Sequence, residues 1–181
     1  MSINHWIVKN LVCTLLLAVG GLNMYAQKDK YLIEAEAFQF KGKWSTDRSA
    51  DCMGSAMLRL NGGGSLDEQF DALTVVNIME EGDYNVWVRS ADYDKLPGTR
   101  LFRLSVDEKP MKESGKHGKV GFYWENAGCV QLAKKQVLLR LHDTKRNFGR
   151  CDAILLVKDH SINPNEMDRK EVGKWRKNPV R

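Results

Sequence analysis

The sequence predicts an all-β chain folded as an antiparallel β-sandwich or jelly roll, and three observations carry that expectation. About eight to ten short apolar or β-branched runs follow one another along the chain. No amphipathic stretch of convincing helical period lies between them, as an α/β chain would require. The breaks are built from turn-forming residues, among them Asn61-Gly62-Gly63-Gly64, Glu81-Gly82-Asp83, Pro97-Gly98 and Asp107-Glu108-Lys109-Pro110.

Taken in order, the first 26 residues have the form of an export signal, with Lys9, an apolar core from Leu11 to Leu22, and Met24-Tyr25-Ala26 ahead of Gln27. The apolar run is too short to span a membrane comfortably, and Asn10-Leu11-Val12-Cys13 departs from a lipidation pattern. The expected product is an exported chain of 181 − 26 = 155 residues, periplasmic, cell-surface or extracellular. Residues 27–164 are expected to form one β-sandwich domain, and 165–181 a polar tail or linker with a short helix over Asn165 to Lys174.

Tyr31 to Phe38 is the first expected strand. Side chains two apart leave the same face of a strand, so Glu34 and Glu36 are expected to project together, opposite Ile33, Ala35 and Ala37. Gln39 to Ser55 reads as a long polar excursion carrying Trp44. Strands are expected at Met57 to Leu60, at β-branched Leu73 to Met79, and at Tyr84 to Ser90, where Trp87 shares a face with Asn85 and Arg89. Leu101 to Val106 follows, then a basic loop from Lys112 to Lys119. Phe122 to Trp124, Cys129 to Leu132, Gln136 to Leu141 and Cys151 to Val157 complete the set.

Charge and cysteines narrow the function. The signal carries one lysine, so the mature net charge is +5 − 1 = +4, with both signs interspersed. That pattern lacks the clustered basic face of a nucleic-acid binder. Cys52, Cys129 and Cys151 show no zinc spacing and no spacing that selects a disulfide pair; they read as small core hydrophobes. No Gly-x-Ser-x-Gly elbow occurs and the histidines show no triad spacing, so no catalytic residues are assigned and the chain is expected not to be an enzyme.

Three stretches together resemble a known family: Ile33-Glu34-Ala35-Glu36-Ala37-Phe38, Gly82-Asp83-Tyr84-Asn85-Val86-Trp87-Val88-Arg89, and Arg150-Cys151-Asp152-Ala153-Ile154-Leu155-Leu156 followed by Pro164. They are similar to the galactose-binding-like β-sandwiches of carbohydrate-binding module families 6 and 35, and to related accessory domains of secreted polysaccharide-processing proteins of Bacteroidetes. The resemblance implies a jelly roll whose first and last strands lie side by side. It also implies a structural calcium ion held by Glu34, Glu36 and Asp152, a donor set whose hard oxygens suit that cation. The bland alternative is a solvated strand face at Glu34 and Glu36 and a turn cap at Asp152.

For ligand, the resemblance implies a polysaccharide or oligosaccharide, met at a loop edge by stacking rings and an asparagine. Trp44, Tyr93, Trp124 and Asn147 are the candidates here, because an aromatic face packs on the C–H surface of a pyranose. The expected function is a non-catalytic carbohydrate-binding module working alone or beside a polysaccharide-processing enzyme. The competing function is a structural or protein-interaction sandwich that does not bind sugar.

Overall fold

The computed structural model describes residues 28–62, 68–144, 148–178 and 180. The export signal expected over residues 1–26, and Asn147, lie outside them. Two antiparallel sheets face each other. The strands are β1 (Lys30–Glu34), β2 (Ser45–Arg48), β3 (Ala56–Arg59), β4 (Ala72–Asn77), β5 (Gly82–Ala91), β6 (Phe102–Val106), β7 (Lys109–Ser114), β8 (Phe122–Leu132), β9 (Gln136–Asp143) and β10 (Arg150–Val157), followed by one short helix, α1 (Arg169–Gly173). The larger sheet runs β2-β3-β10-β5-β8, and the smaller β4-β9-β6-β7.

First and last strands do lie side by side: Lys30 to Glu34 pair antiparallel with Val157 to Ala153. β3 continues along the same edge of β10 at Arg150 and Cys151, while β5 takes the other edge. Every residue of β10 after Arg150 is buried. Cys151, Ile154 and Leu156 face the core between the sheets, with Leu58, Val86, Val88, Leu104 and Leu139. Ala153, Leu155 and Val157 face the other way, in a second cluster with Leu32, Met53, Trp124 and Val172. A strand covered on both faces reads as a continuous apolar run, as Ala153 to Val157 does. Ile154→Val is expected to cost about 0.5–1.5 kcal/mol in a denaturant titration, the loss of one tightly packed methyl group.

Part of the segment expected to be a polar tail or linker packs on that second cluster. Ile162, Met167 and Trp175 pack against it, the Leu32 N–H donates to Trp175 O (2.9 Å), and the Lys177 N–H donates to Leu32 O (2.8 Å). The segment after β10 is a cover for the larger sheet. Its helix is shorter than expected, five residues capped by Asp168, whose side chain accepts from the Lys170 N–H.

Two strands escape the hydrophobic pattern because they are edges. β2 is Ser-Thr-Asp-Arg, exposed at alternate residues, within the stretch expected to be an excursion. β7 replaces part of the expected basic loop and carries Pro110 and two lysines; an edge strand tolerates a proline and gains protection from charge. Asp107 and Glu108, at φ 51° and 64°, make the tight turn between β6 and β7. The two runs expected at 122–124 and 129–132 are one strand, β8, whose pairing with β5 shifts between Val86 and Trp87 and leaves Ala127 as the extra residue.

Candidate functional site

At one end of the sandwich, the loop after β5, the residues before β6 and the start of β10 meet in a cleft of about 210 Å³ lined by Tyr93, Thr99, Arg100, Phe148 and Arg150. Its two rings are exposed, Tyr93 by 40% and Phe148 by 46%. The buried Asp92 carboxylate sets the loop that carries Tyr93, accepting from the backbone N–H groups of Tyr93 (2.7 Å), Gly98 (3.1 Å) and Gly118 (2.8 Å). The Phe148 N–H donates to Thr99 O (3.3 Å). Arg100 lies over the Tyr93 ring at 5.6 Å and donates to Asp92 O (2.6 Å).

The two arginines give this cleft its charge. Burial holds the Arg100 guanidinium below its usual range, against the nearby Asp92. Burial also lowers Arg150, and the charges of Arg100 and Arg59 push it the same way. Arg150 Nε is buried and donates no hydrogen bond. Two crowded guanidinium groups beside two exposed rings make a surface suited to a flat ligand carrying an anionic group.

The tryptophans lie elsewhere. Trp44 is 3% exposed and packs edge-on against Phe102 at 5.7 Å inside the main core. Trp124 is 4% exposed and belongs to the second core cluster under the chain that follows β10. The Asn165 side chain clasps its backbone, accepting from Trp124 N (3.0 Å) and donating to Trp124 O (3.0 Å). Neither indole presents a face to a sugar. Phe148, adjacent to Asn147 in sequence, is the exposed ring that sequence reasoning missed; its signal was an aromatic residue inside an otherwise polar, glycine-ended loop.

The three carboxylates are gathered, although not by the strand geometry expected. β1 ends at Glu34, and Ala35 to Ala37 form a 3-10 turn, so Glu34 and Glu36 no longer share a strand face. They meet around Gly54 instead, where a Cβ atom would lie 2.2 Å from Glu36 Oε1 and 2.8 Å from Glu34 Oε1. Glu36 Oε1 accepts from Ser55 N (2.8 Å) and Ala56 N (3.2 Å). Glu36 Oε2 is buried and accepts no hydrogen bond.

Asp152, 0% exposed, accepts from the Met53 N–H at 3.1 Å and pairs with Arg89. Burial pushes its carboxyl up to about 6, with Arg89 pulling the other way. Beside it the Cys52 thiol is pushed up to about 12 by burial and then by Asp152. Arg176 Nε donates to Glu34 Oε1 (2.7 Å), and guanidinium groups also take the loop carbonyls: Arg169 those of Ala50 (2.9 Å) and Cys52 (3.1 Å), Arg89 that of Asp51 (2.9 Å), Arg176 that of Met53 (3.2 Å). The orphaned Glu36 Oε2 offers a hard cation one unused oxygen, while Glu34 is already held by Arg176 and Gly54 packs tightly against both carboxylates. The three carboxylates together do not form a group with ligand atoms within 4.8 Å of one another, because Asp152 is turned to Arg89.

A wider groove of about 470 Å³ crosses the outer face of the smaller sheet, lined by Arg103, Ser105, Glu113, His142 and Asp143 among others. Here the fold brings together residues with no spacing signal. Ser105 Oγ and His142 Nε2 share a hydrogen bond of 2.6 Å, and Asp71 Oδ2 lies 2.8 Å from His142 Nδ1. The order is that of a nucleophile, base and acid, but the Asp71 contact is not aligned as a hydrogen bond, and Ser105 is 5% exposed in mid-strand. A relay needs the aligned bond to fix the imidazole tautomer, so the trio is a polar network on a sheet face. The groove is lined by no phenylalanine, tyrosine or tryptophan.

No family model matches the chain, and no curated protein does. Solved structures do match in fold. A GH26-CBM35 β-(1,4)-mannanase of Podospora anserina aligns over 76% of this chain at 17% identity and TM-score 0.58, this chain spanning 30% of that one. A family 35 carbohydrate binding module of Clostridium thermocellum aligns over 70% of this chain and 97% of its own, at 18% identity and TM-score 0.55. The C-terminal CBM6 of a marine laminarinase of Zobellia galactanivorans aligns over 72% of this chain and 100% of its own, at 15% identity and TM-score 0.55. The chain therefore has the galactose-binding-like β-sandwich fold of the family 35 and family 6 carbohydrate-binding modules.

Proposed function

We propose that the chain is an exported, non-catalytic carbohydrate-binding module that takes an acidic polysaccharide or oligosaccharide in the cleft between Tyr93 and Phe148. The observation that carries this reading is the cleft itself: two exposed rings at one end of a fold shared with carbohydrate-binding modules. The rings pack on the C–H faces of a pyranose. Arg100 and Arg150 meet a uronate or sulfate group by charge-assisted hydrogen bonds. Asn147, next to Phe148, supplies a side-chain amide for sugar hydroxyls. Such a module works alone or holds a polysaccharide-processing enzyme on its substrate.

Affinity electrophoresis on gels containing neutral or acidic polysaccharides tests this. Retardation by an acidic glycan, weakened in Arg150→Gln, is the expected result. Equal mobility on every gel, with calcium present, would favour the structural or protein-interaction sandwich.

A structural calcium ion belongs to the same reading. Glu34 and Glu36 would hold it, with Asp152 behind them on Arg89, and it would supply a fixed divalent charge tying the start of the domain to the 50–55 loop. Added calcium is then expected to raise the melting temperature of the intact protein, a chelator to lower it, and Glu36→Gln to remove the response, since a ligand of the folded state stabilises by mass action. A melting curve indifferent to calcium would leave the arginines as the site's counter-charges.

A further inference from the structure

We infer that Asp83, Cys129 and His160 form a binding site for zinc or a chemically similar divalent transition-metal ion. Among the described residues these three side chains are the group of metal-ligating type whose ligand atoms all lie within 4.8 Å of one another. They come from three places in the chain: Asp83 from the start of β5, Cys129 from β8, and His160 from the turn just after β10. Asn85 pairs with Cys129 and Asp83 with Gln131 across the β5–β8 ladder. Tyr84 and Val130, which pair in the same ladder, fill the main core. Side-chain alternation therefore sends Asp83 and Cys129 out on the opposite face. The chain leaving β10 crosses that face, and His160 Nε2 comes within 3.7 Å of Asp83 Oδ2.

The donor set decides the metal. A thiolate, an imidazole and a carboxylate match the mixed sulfur, nitrogen and oxygen preference of zinc, whereas calcium and magnesium take oxygen donors. Cys129 S–H donates to Asn85 Oδ1 at 2.8 Å; metal binding releases that proton to solvent, and the Asn85 amide, turned about its Cβ–Cγ bond, would then offer its N–H to the thiolate. Cys52 and Cys151 are buried, so Cys129 is the described cysteine that solvent reaches. All three ligands are exposed, which leaves the fourth position of a tetrahedral ion to water. The ion would pin the segment after β10 to the β5–β8 pair, upstream of the place where Asn165 clasps Trp124.

The site shares no residue with the sugar cleft or with Glu34 and Glu36. Cobalt(II) is the probe, added to the intact protein kept reduced by a non-thiol reductant. One equivalent should produce a thiolate-to-cobalt charge-transfer band, and zinc should abolish it by displacement. Cys129→Ser should remove the band; His160→Ala and Asp83→Asn should each weaken cobalt binding by about tenfold or more; and Glu36→Gln should leave it unchanged. Because the three side chains are exposed, the metal-free variants should melt with the parent protein, and that is measured alongside. No band, a band that survives Cys129→Ser, or unchanged affinity in His160→Ala would overturn the assignment.

Discussion

Replacing both Tyr93 and Phe148 with alanine is expected to abolish retardation of the protein on an acidic-polysaccharide gel while leaving its melting temperature nearly unchanged. Each ring is about half exposed, so its folded-state packing is modest and truncation should cost stability within about 0.5 kcal/mol. For the ligand the balance is reversed. A ring buried under a pyranose behaves as a central contact, worth about 2 kcal/mol on truncation. Each single variant should therefore lose roughly thirtyfold in affinity, and the double variant should fall below detection. Retardation equal to the parent's in the double variant would move the sugar to the groove over Arg103, Ser105 and His142. The tryptophans make the control: Trp44 is core, so Trp44→Ala should unfold the protein before it informs on binding.

Arg89→Ala is expected to be the most damaging single surface-accessible change to stability, at about 3–5 kcal/mol. Asp152 is fully buried on the last strand, and its carboxyl is already pushed up by burial. The Arg89 guanidinium is what holds it down, and it also takes the Asp51 carbonyl. Removing it leaves a buried carboxylate with the Met53 N–H and the Cys52 thiol but no counter-charge beside it. The melting temperature should fall by about 10 °C for a domain of this size. Arg89→Ala with Asp152→Asn should recover part of the loss, since the uncompensated charge goes with it. A loss under about 1 kcal/mol would mean that some other cation neutralises Asp152, and recovery by added calcium would identify it.

How far the sequence carried these sites differs residue by residue. Glu34, Glu36 and Asp152 were legible as a group through the family resemblance, and for Asp152 the cost of an unpaired charge at the edge of a buried strand points the same way. Arg89 and Arg176 were not legible as those partners, lying 63 and 142 residues from them in the chain. Tyr93 was legible as a candidate ring, but its difference from Trp44 and Trp124 was not. All three are aromatic residues near long loops, and only burial separates them. Asp71, Ser105 and His142 carry no sequence signal at all, since cross-strand neighbours in a sandwich are set by pairing register.

The alternation of apolar and polar residues, the turn chemistry between runs and the continuous apolar stretch of β10 determined the architecture, because burial of one face per strand is a local pattern that the chain displays. Edge strands β2 and β7, the cover laid by residues 158–177 over the larger sheet, and the meeting of Asp83, Cys129 and His160 were decided only by the tertiary structure. Each depends on which distant segments come to share a face. No periodicity encodes that, because contact energies between segments far apart in sequence leave no mark on either segment alone.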